Sequence, residues 1–212
     1  MITEISEKLL LGIALAAPPG PVTVEMIKRG LNKGFFAAFN IRLGGAIGNS
    51  ICLIAAFFGL SVLQSYPRWL DLLGILGAIF IIYLGLTTLK NKIDKKIFAS
   101  LDSDGVTGGA LKSLWIGLML AVVNPVALVF WLGIYAATVD TQAASVDFRG
   151  LWFNFFIIAG VLLWGAFLSG LLEGGRRILN EKSISLISIF AGILLVGYGL
   201  KYGLTILSGL IS

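Results

Sequence analysis

The chain has 212 residues, 58% of them apolar and 13% charged, with a formal net charge of +5. A soluble domain carries about a quarter charged residues and buries only about 70% of its chain surface, so this composition excludes water as the main solvent and selects a bilayer. The sequence has no histidine and one cysteine, Cys52, which removes Ser-His-Asp and Cys-His catalysis, histidine-bearing zinc sites and a disulfide framework.

A spanning helix needs about 20 mostly apolar residues, and six stretches qualify: residues 9–27, 41–63, 69–89, 114–139, 151–172 and 184–207. The first begins in MITEISEKLLLGIALAA, which has the apolar core and small-residue ending of a signal peptide. Its flank carries Glu4 and Glu7 against a lone Lys8, and the prolines continue a longer apolar run. The expectation is therefore a retained first span. That span is interrupted by Pro18, Pro19, Gly20 and Pro21; the second begins with Arg42 and holds Asn49, and the fourth contains Asn124-Pro125. The twenty-seven glycines suit membrane helices, which approach closely through small residues. Gly44 with Gly48, and Gly117 with Ala121, are spaced to form such faces. Lys201, flanked by Tyr198 and Tyr202 near the end of the sixth span, reads as an interfacial anchor.

Basic residues beside spans are retained on the cytoplasmic side, and here they alternate. Lys28, Arg29 and Lys33 follow span 1; Lys90, Lys92, Lys95, Lys96 and Lys112 follow span 3; Arg176, Arg177 and Lys182 follow span 5. Both termini are then expected to face away from the cytoplasm. The positive charge is accounted for by these loops, and no nucleic-acid partner is expected.

Within hydrocarbon, a helix-breaking proline is tolerated mainly beside protein or a wet cavity. Pro21 and Pro125 lie 104 positions apart, close to half the chain, and an odd number of spans per half requires the second half to insert inverted. Broken helices at matching places in two inverted halves point to a transporter's central site. The alternative is that both prolines merely kink helices for packing. Of the few ionisable groups in the spans, Glu25 is open to two readings: an interfacial pair with Lys28 and Arg29 at i+3 and i+4, or a carboxylate that attracts a substrate or carries a coupling proton. Arg42 either snorkels to the interface or pairs with Glu25 or a substrate carboxylate. Asn49 and Asn124 either bridge helices or bind a polar ligand.

The stretch AAPPGPVTVEMIKRGLNKGF, the glycine-spaced GGAIGNS of span 2 and the NPVALVFW of span 4 resemble the lysine exporter (LysE) family of amino-acid efflux carriers over most of the chain. The resemblance implies an exporter of amino acids or similar small solutes in the inner or plasma membrane, driven by a proton or cation gradient. It also implies sites near Gly20, Pro21, Glu25, Asn124 and Pro125. Two positions depart from it: family members often have an acidic residue where this chain has Asn49, and a lysine where it has Val126.

The expected fold is an all-α integral membrane protein of six transmembrane helices in two inverted three-helix repeats, residues 1–92 and 113–212, joined by a cytoplasmic connector at 93–112. The expected substrate-binding set is Pro19, Gly20, Pro21, Glu25, Asn49, Asn124 and Pro125, with Arg42 as a charge partner. No cofactor, metal site or enzymatic activity is expected. Two alternatives stay open: export of a metal cation, which lacks a ligand cluster to replace the hydration shell, and a non-transporting membrane assembly subunit. A homo-oligomer is compatible with the glycine faces.

Overall fold

The computed structural model of the chain describes residues 2–61, 66–90, 108–138, 148–174 and 181–211. Expectations for the loop charges at 91–107 and 175–180 fall outside these residues. All regular structure among the described residues is helical: α1 (Ile2–Ala16), α2 (Pro21–Lys33), α3 (Phe35–Ser61), α4 (Pro67–Lys90), α5 (Ala110–Val122), α6 (Pro125–Thr138), α7 (Phe148–Glu173) and α8 (Glu181–Ile211). Four of them, α3, α4, α7 and α8, are long and apolar enough to cross a membrane. The pairs α1–α2 and α5–α6 pass the same test only when joined, and they bend by 74° and 63° at their breaks, giving four to six candidate spans.

The prolines explain both bends. Pro21 and Pro125 each stand at the first position of the following helix, where a missing N–H costs nothing and the fixed φ suits the helix, but where the preceding helix cannot continue. Between α2 and α3 the chain turns through Gly34 at φ +77, and its N–H donates to Gly30 O at 2.8 Å. This left-handed cap favours glycine. The helix α3 begins at Phe35, six residues ahead of the apolar run expected from 41. Hydropathy marks where lipid-compatible side chains start, whereas the backbone helix is already formed through Phe39, Asn40 and Ile41.

Close approaches at glycine organise the packing. On α1 and α7, a Cβ added at Gly12 would overlap Ile157 O, and one at Gly160 would overlap Leu9 O; on α5 and α3, a Cβ at Gly117 would overlap Ile41 O, and one at Gly44 would overlap Leu114 O. A third crossing brings Gly77 of α4 against Gly133 of α6. These backbone-to-backbone contacts replace the hydrophobic drive that lipid does not supply. Gly48 adds to the α3–α5 face by meeting Ala121, as the small-residue spacing predicts. The interior is filled by Leu11, Phe57, Phe130, Trp131, Ile134 and Ile157, while Phe36, Trp69, Leu76, Trp152, Phe190 and Leu204 are among the apolar side chains left exposed. An apolar exterior of this extent is what a lipid-facing surface requires.

Candidate functional site

At the first break, α1 stops at Ala16 and Gly20 caps α2 in an extended conformation without any side-chain hydrogen bond. Val24 N donates to Gly20 O at 2.9 Å. Pro21 has no N–H, and those of Val22 and Thr23 have no acceptor among the described residues. The α2 N-terminus therefore presents two free donors and the positive end of a helix dipole. The second break is closed differently: Asn124 Oδ1 accepts from Val126 N at 3.0 Å, and Asn124 O accepts from Ala127 N at 3.1 Å. Asparagine is a strong N-cap, so the α6 end is largely satisfied.

Both breaks open onto one cavity of about 370 Å³. Its lining includes Pro18, Pro19, Gly20, Pro21, Thr23, Arg42, Asn49 and Asn124 on the polar side, with Leu84, Phe130, Val161 and Leu195 among the apolar walls. Among the described residues no aspartate or glutamate lines it. The volume and the mix of apolar wall with a few convergent polar groups match a small-molecule site.

The structure thus gathers Pro19, Gly20, Pro21, Arg42, Asn49 and Asn124 around the cavity. Pro125 stands between the lining residues Asn124 and Val126 without lining it itself. Glu25 stays outside: its Oε1 accepts from Arg29 Nε at 2.7 Å, and Arg29 Nη1 donates to Ser113 Oγ at 2.9 Å. This is the i+4 pair of the first reading for Glu25, extended to α5.

Arg42 is only 5% exposed, so the long side chain does not reach the interface, and it does not meet Glu25. Its Nε approaches Met26 Sδ at 3.1 Å and its Nη2 donates to Thr23 Oγ1 at 3.0 Å. Thr23 Oγ1 in turn lies 3.4 Å from both Ala16 O and Pro18 O, carbonyls released by the break. Among the described residues no carboxylate lies within 4.0 Å of Arg42. Two buried arginines among the described residues therefore differ in status, Arg29 paired with a carboxylate and Arg42 not. The second faces the cavity.

Sequence reasoning missed Thr23, which holds Arg42, and Gly165, whose lack of a side chain makes room for the Arg42 stem. It also missed Trp131, whose Nε1 donates to Asn49 Oδ1 at 3.0 Å. A threonine two residues after the Pro-Gly-Pro break was the one visible signal, since its hydroxyl can satisfy carbonyls freed there. A separate polar group ties α1, α7 and α8 together: Lys8 Nζ donates to Asn154 Oδ1 at 2.7 Å, Tyr198 Oη donates to Glu7 O at 2.8 Å, and Lys201 pairs with the Glu7 carboxylate. Lys201 is thus engaged with another helix from the interior of α8. Among the described residues no three His, Cys, Asp or Glu side chains come together as a metal would need.

The family model for the LysE type translocator matches residues 13–205, which include both breaks and the whole cavity lining. The chain belongs to the LysE family. LysE family members are transporters, so this is a multi-pass membrane transport protein and not an enzyme. Similar curated proteins include "Putative amino acid efflux protein YcgF" of Bacillus subtilis strain 168, 28% identical over 92% of each chain. A leucine efflux protein of Salmonella typhimurium strain LT2 is 26% identical over 89% of each. Another leucine efflux protein, of Enterobacter sp. strain 638, is 25% identical over 86% of this chain and 87% of its own. No solved structure matches the chain.

Proposed function

We propose that this LysE protein exports neutral, apolar amino acids across the cell's inner or plasma membrane, with the cavity between the two helix breaks as the substrate site. The observation that carries this reading is that one cavity receives both breaks and is walled by Leu84, Phe130, Val161 and Leu195, with no carboxylate among the described residues of its lining. A cationic side chain would find no partner there, and an unpaired charge inside the membrane is costly. An aliphatic side chain fits the walls, in keeping with the leucine efflux named for two of the relatives.

Alternating access by two inverted repeats, residues 1–92 and 113–212 about a connector at 93–112, is the mechanism proposed. The glycine crossings support it. Leu9 and Gly12 of α1 meet Ile157 and Gly160 of α7, while Leu114 and Gly117 of α5 meet Ile41 and Gly44 of α3. One half maps onto the other by 105 positions for α1 to α5 and by 116 positions for α3 to α7, and every contact keeps its i, i+3 spacing. The mapping is broken elsewhere: α4 packs on α6 through Gly77 and Gly133, whereas α8 makes no comparable packing on α2. Two equivalent halves in unequal arrangements are what a transporter captured on one side of its cycle requires. A proton or cation gradient would drive the cycle, and both termini would face away from the cytoplasm, in line with the basic loops.

The test is counterflow of labelled amino acids into proteoliposomes holding the purified protein. Flux of leucine and similar residues, lost on filling the cavity with Ala127→Phe, is the expected result. Folded wild-type protein that moves no amino acid would overturn the exporter reading.

A further inference from the structure

We infer that Arg42, together with the free N–H groups of Val22 and Thr23, is the receptor for the α-carboxylate of the transported molecule. The inference deepens the exporter reading and rests on it.

Two features converge on one part of the cavity, and a third joins them. The first is the guanidinium itself, 95% buried by residue, lining the cavity and holding only neutral partners, Met26 Sδ and Thr23 Oγ1. Taking such a cation out of water is costly unless an anion compensates, and its Nη1 has no acceptor among the described residues. The second is the start of α2, where Gly20 supplies no side-chain cap and the N–H groups of Val22 and Thr23 are unspent. The third is the hydrogen bond from Arg42 Nη2 to Thr23 Oγ1 at 3.0 Å, which holds the guanidinium against that same first turn. Guanidinium and helix end therefore act on one volume.

A carboxylate is the anion that this arrangement suits. Its two oxygens can divide between a planar guanidinium edge and backbone donors, while the helix dipole favours the negative charge. The contrast between the breaks sharpens the assignment. Asn124 Oδ1 already occupies the donor of Val126, so the anion belongs at the first break and not at the second. The carbonyl-rich end of α1, where Ala16 lines the cavity, is left for the α-ammonium group. The zwitterion then lies across the break with its side chain toward the apolar walls.

The experiment compares competitors of labelled leucine counterflow in proteoliposomes containing the wild-type protein. Leucine should compete well. Leucinamide and 3-methylbutylamine, which keep the side chain and the amine without the carboxylate, should compete at least about 10-fold less well. In parallel, Arg42→Gln should raise the KM for leucine by about 100-fold and Arg42→Lys by about 10-fold, since a lysine keeps the charge and loses the paired donors. Competition by leucinamide equal to that by leucine, with leucine flux intact, would overturn this inference and leave the exporter reading standing. An absence of flux for every amino acid would overturn both. The competitor series uses the wild-type protein, so a poorly folded Arg42 variant does not remove the test.

Discussion

Gly165 of α7 lies directly against the stem of Arg42 of α3: a Cβ added to the glycine would overlap Arg42 Cγ and sit 2.9 Å from its Cβ and 3.1 Å from its Cδ. The atoms in the way are the root of the side chain rather than its far end, so the arginine cannot swing clear by turning its last torsions. Gly165→Ala should therefore displace the guanidinium from the cavity. The expected outcome is a rise in KM for leucine of about 3- to 10-fold, with a stability cost of about 1–3 kcal/mol from overpacking. Gly170 on the same helix has nothing within 4 Å of a built Cβ, and Gly170→Ala should leave KM unchanged. Counterflow kinetics and a thermal melt in detergent separate the two.

The helix crossings make a second prediction. At Gly12, Gly44, Gly117 and Gly160 the obstructing atom is a backbone carbonyl of the facing helix, which no rotamer change can move. Alanine at any of the four should force the helices apart and cost about 1–3 kcal/mol. In the two-repeat arrangement proposed above, Gly12 corresponds to Gly117 and Gly44 to Gly160, so the four should lower the melting temperature by similar amounts. Gly59 and Gly197 meet nothing within 4 Å. Alanine there should be neutral or mildly stabilising through helix propensity. A melt series in which only one crossing mattered would count against equivalent halves.

Glu25 calls for a different outcome from the cavity residues. Glu25→Gln removes the negative charge that faces Arg29, which is 4% exposed, and leaves that arginine with neutral partners, the amide oxygen and Ser113. Breaking one side of a buried pair is strongly destabilising, on the order of 3–5 kcal/mol when fully buried and less here, where the Glu25 side chain is 26% exposed. The KM for leucine should stay unchanged because Glu25 does not line the cavity. Replacing both partners, Glu25→Leu with Arg29→Met, should recover much of the lost stability. A raised KM in Glu25→Gln with normal folding would return the carboxylate to the transport path.

These residues also mark how far the sequence could be read. The six apolar stretches and both proline breaks were legible because bilayer thickness and the missing proline N–H act on the chain locally. A central site between the breaks was expected from their half-chain spacing, and Arg42, Asn49 and Asn124 stood out as polar groups in spans, although snorkelling and helix bridging explained them equally in the sequence. What the sequence could not distinguish was which cation takes which carboxylate. Arg29 and Arg42 are thirteen positions apart, and only the fold shows that the i+4 geometry of α2 gives Glu25 to Arg29 while α3 turns Arg42 toward Thr23. Gly165 was one of 27 glycines, and nothing in its neighbours marks it as the one facing an arginine from another helix.

Asn49 carries the last prediction, about selectivity. It sits seven residues beyond Arg42, two turns along the same helix and about 10 Å away along its axis, and both line the cavity. Its Oδ1 accepts from Trp131 Nε1 at 3.0 Å, so an aspartate in its place keeps that hydrogen bond while adding a negative charge that the described residues of the lining lack. With Arg42 holding the α-carboxylate, a second pole about 10 Å away is placed for the ammonium at the end of a long side chain. Asn49→Asp should therefore gain counterflow of labelled lysine and lose leucine flux by about 10-fold, since a carboxylate without a cation is costly to bury beside an aliphatic substrate. Asn49→Ala should weaken leucine transport without admitting lysine, because it removes the partner of Trp131 and adds no charge. Unchanged leucine transport and no lysine flux in Asn49→Asp would mean that the charge of the lining does not set which amino acids the cavity accepts.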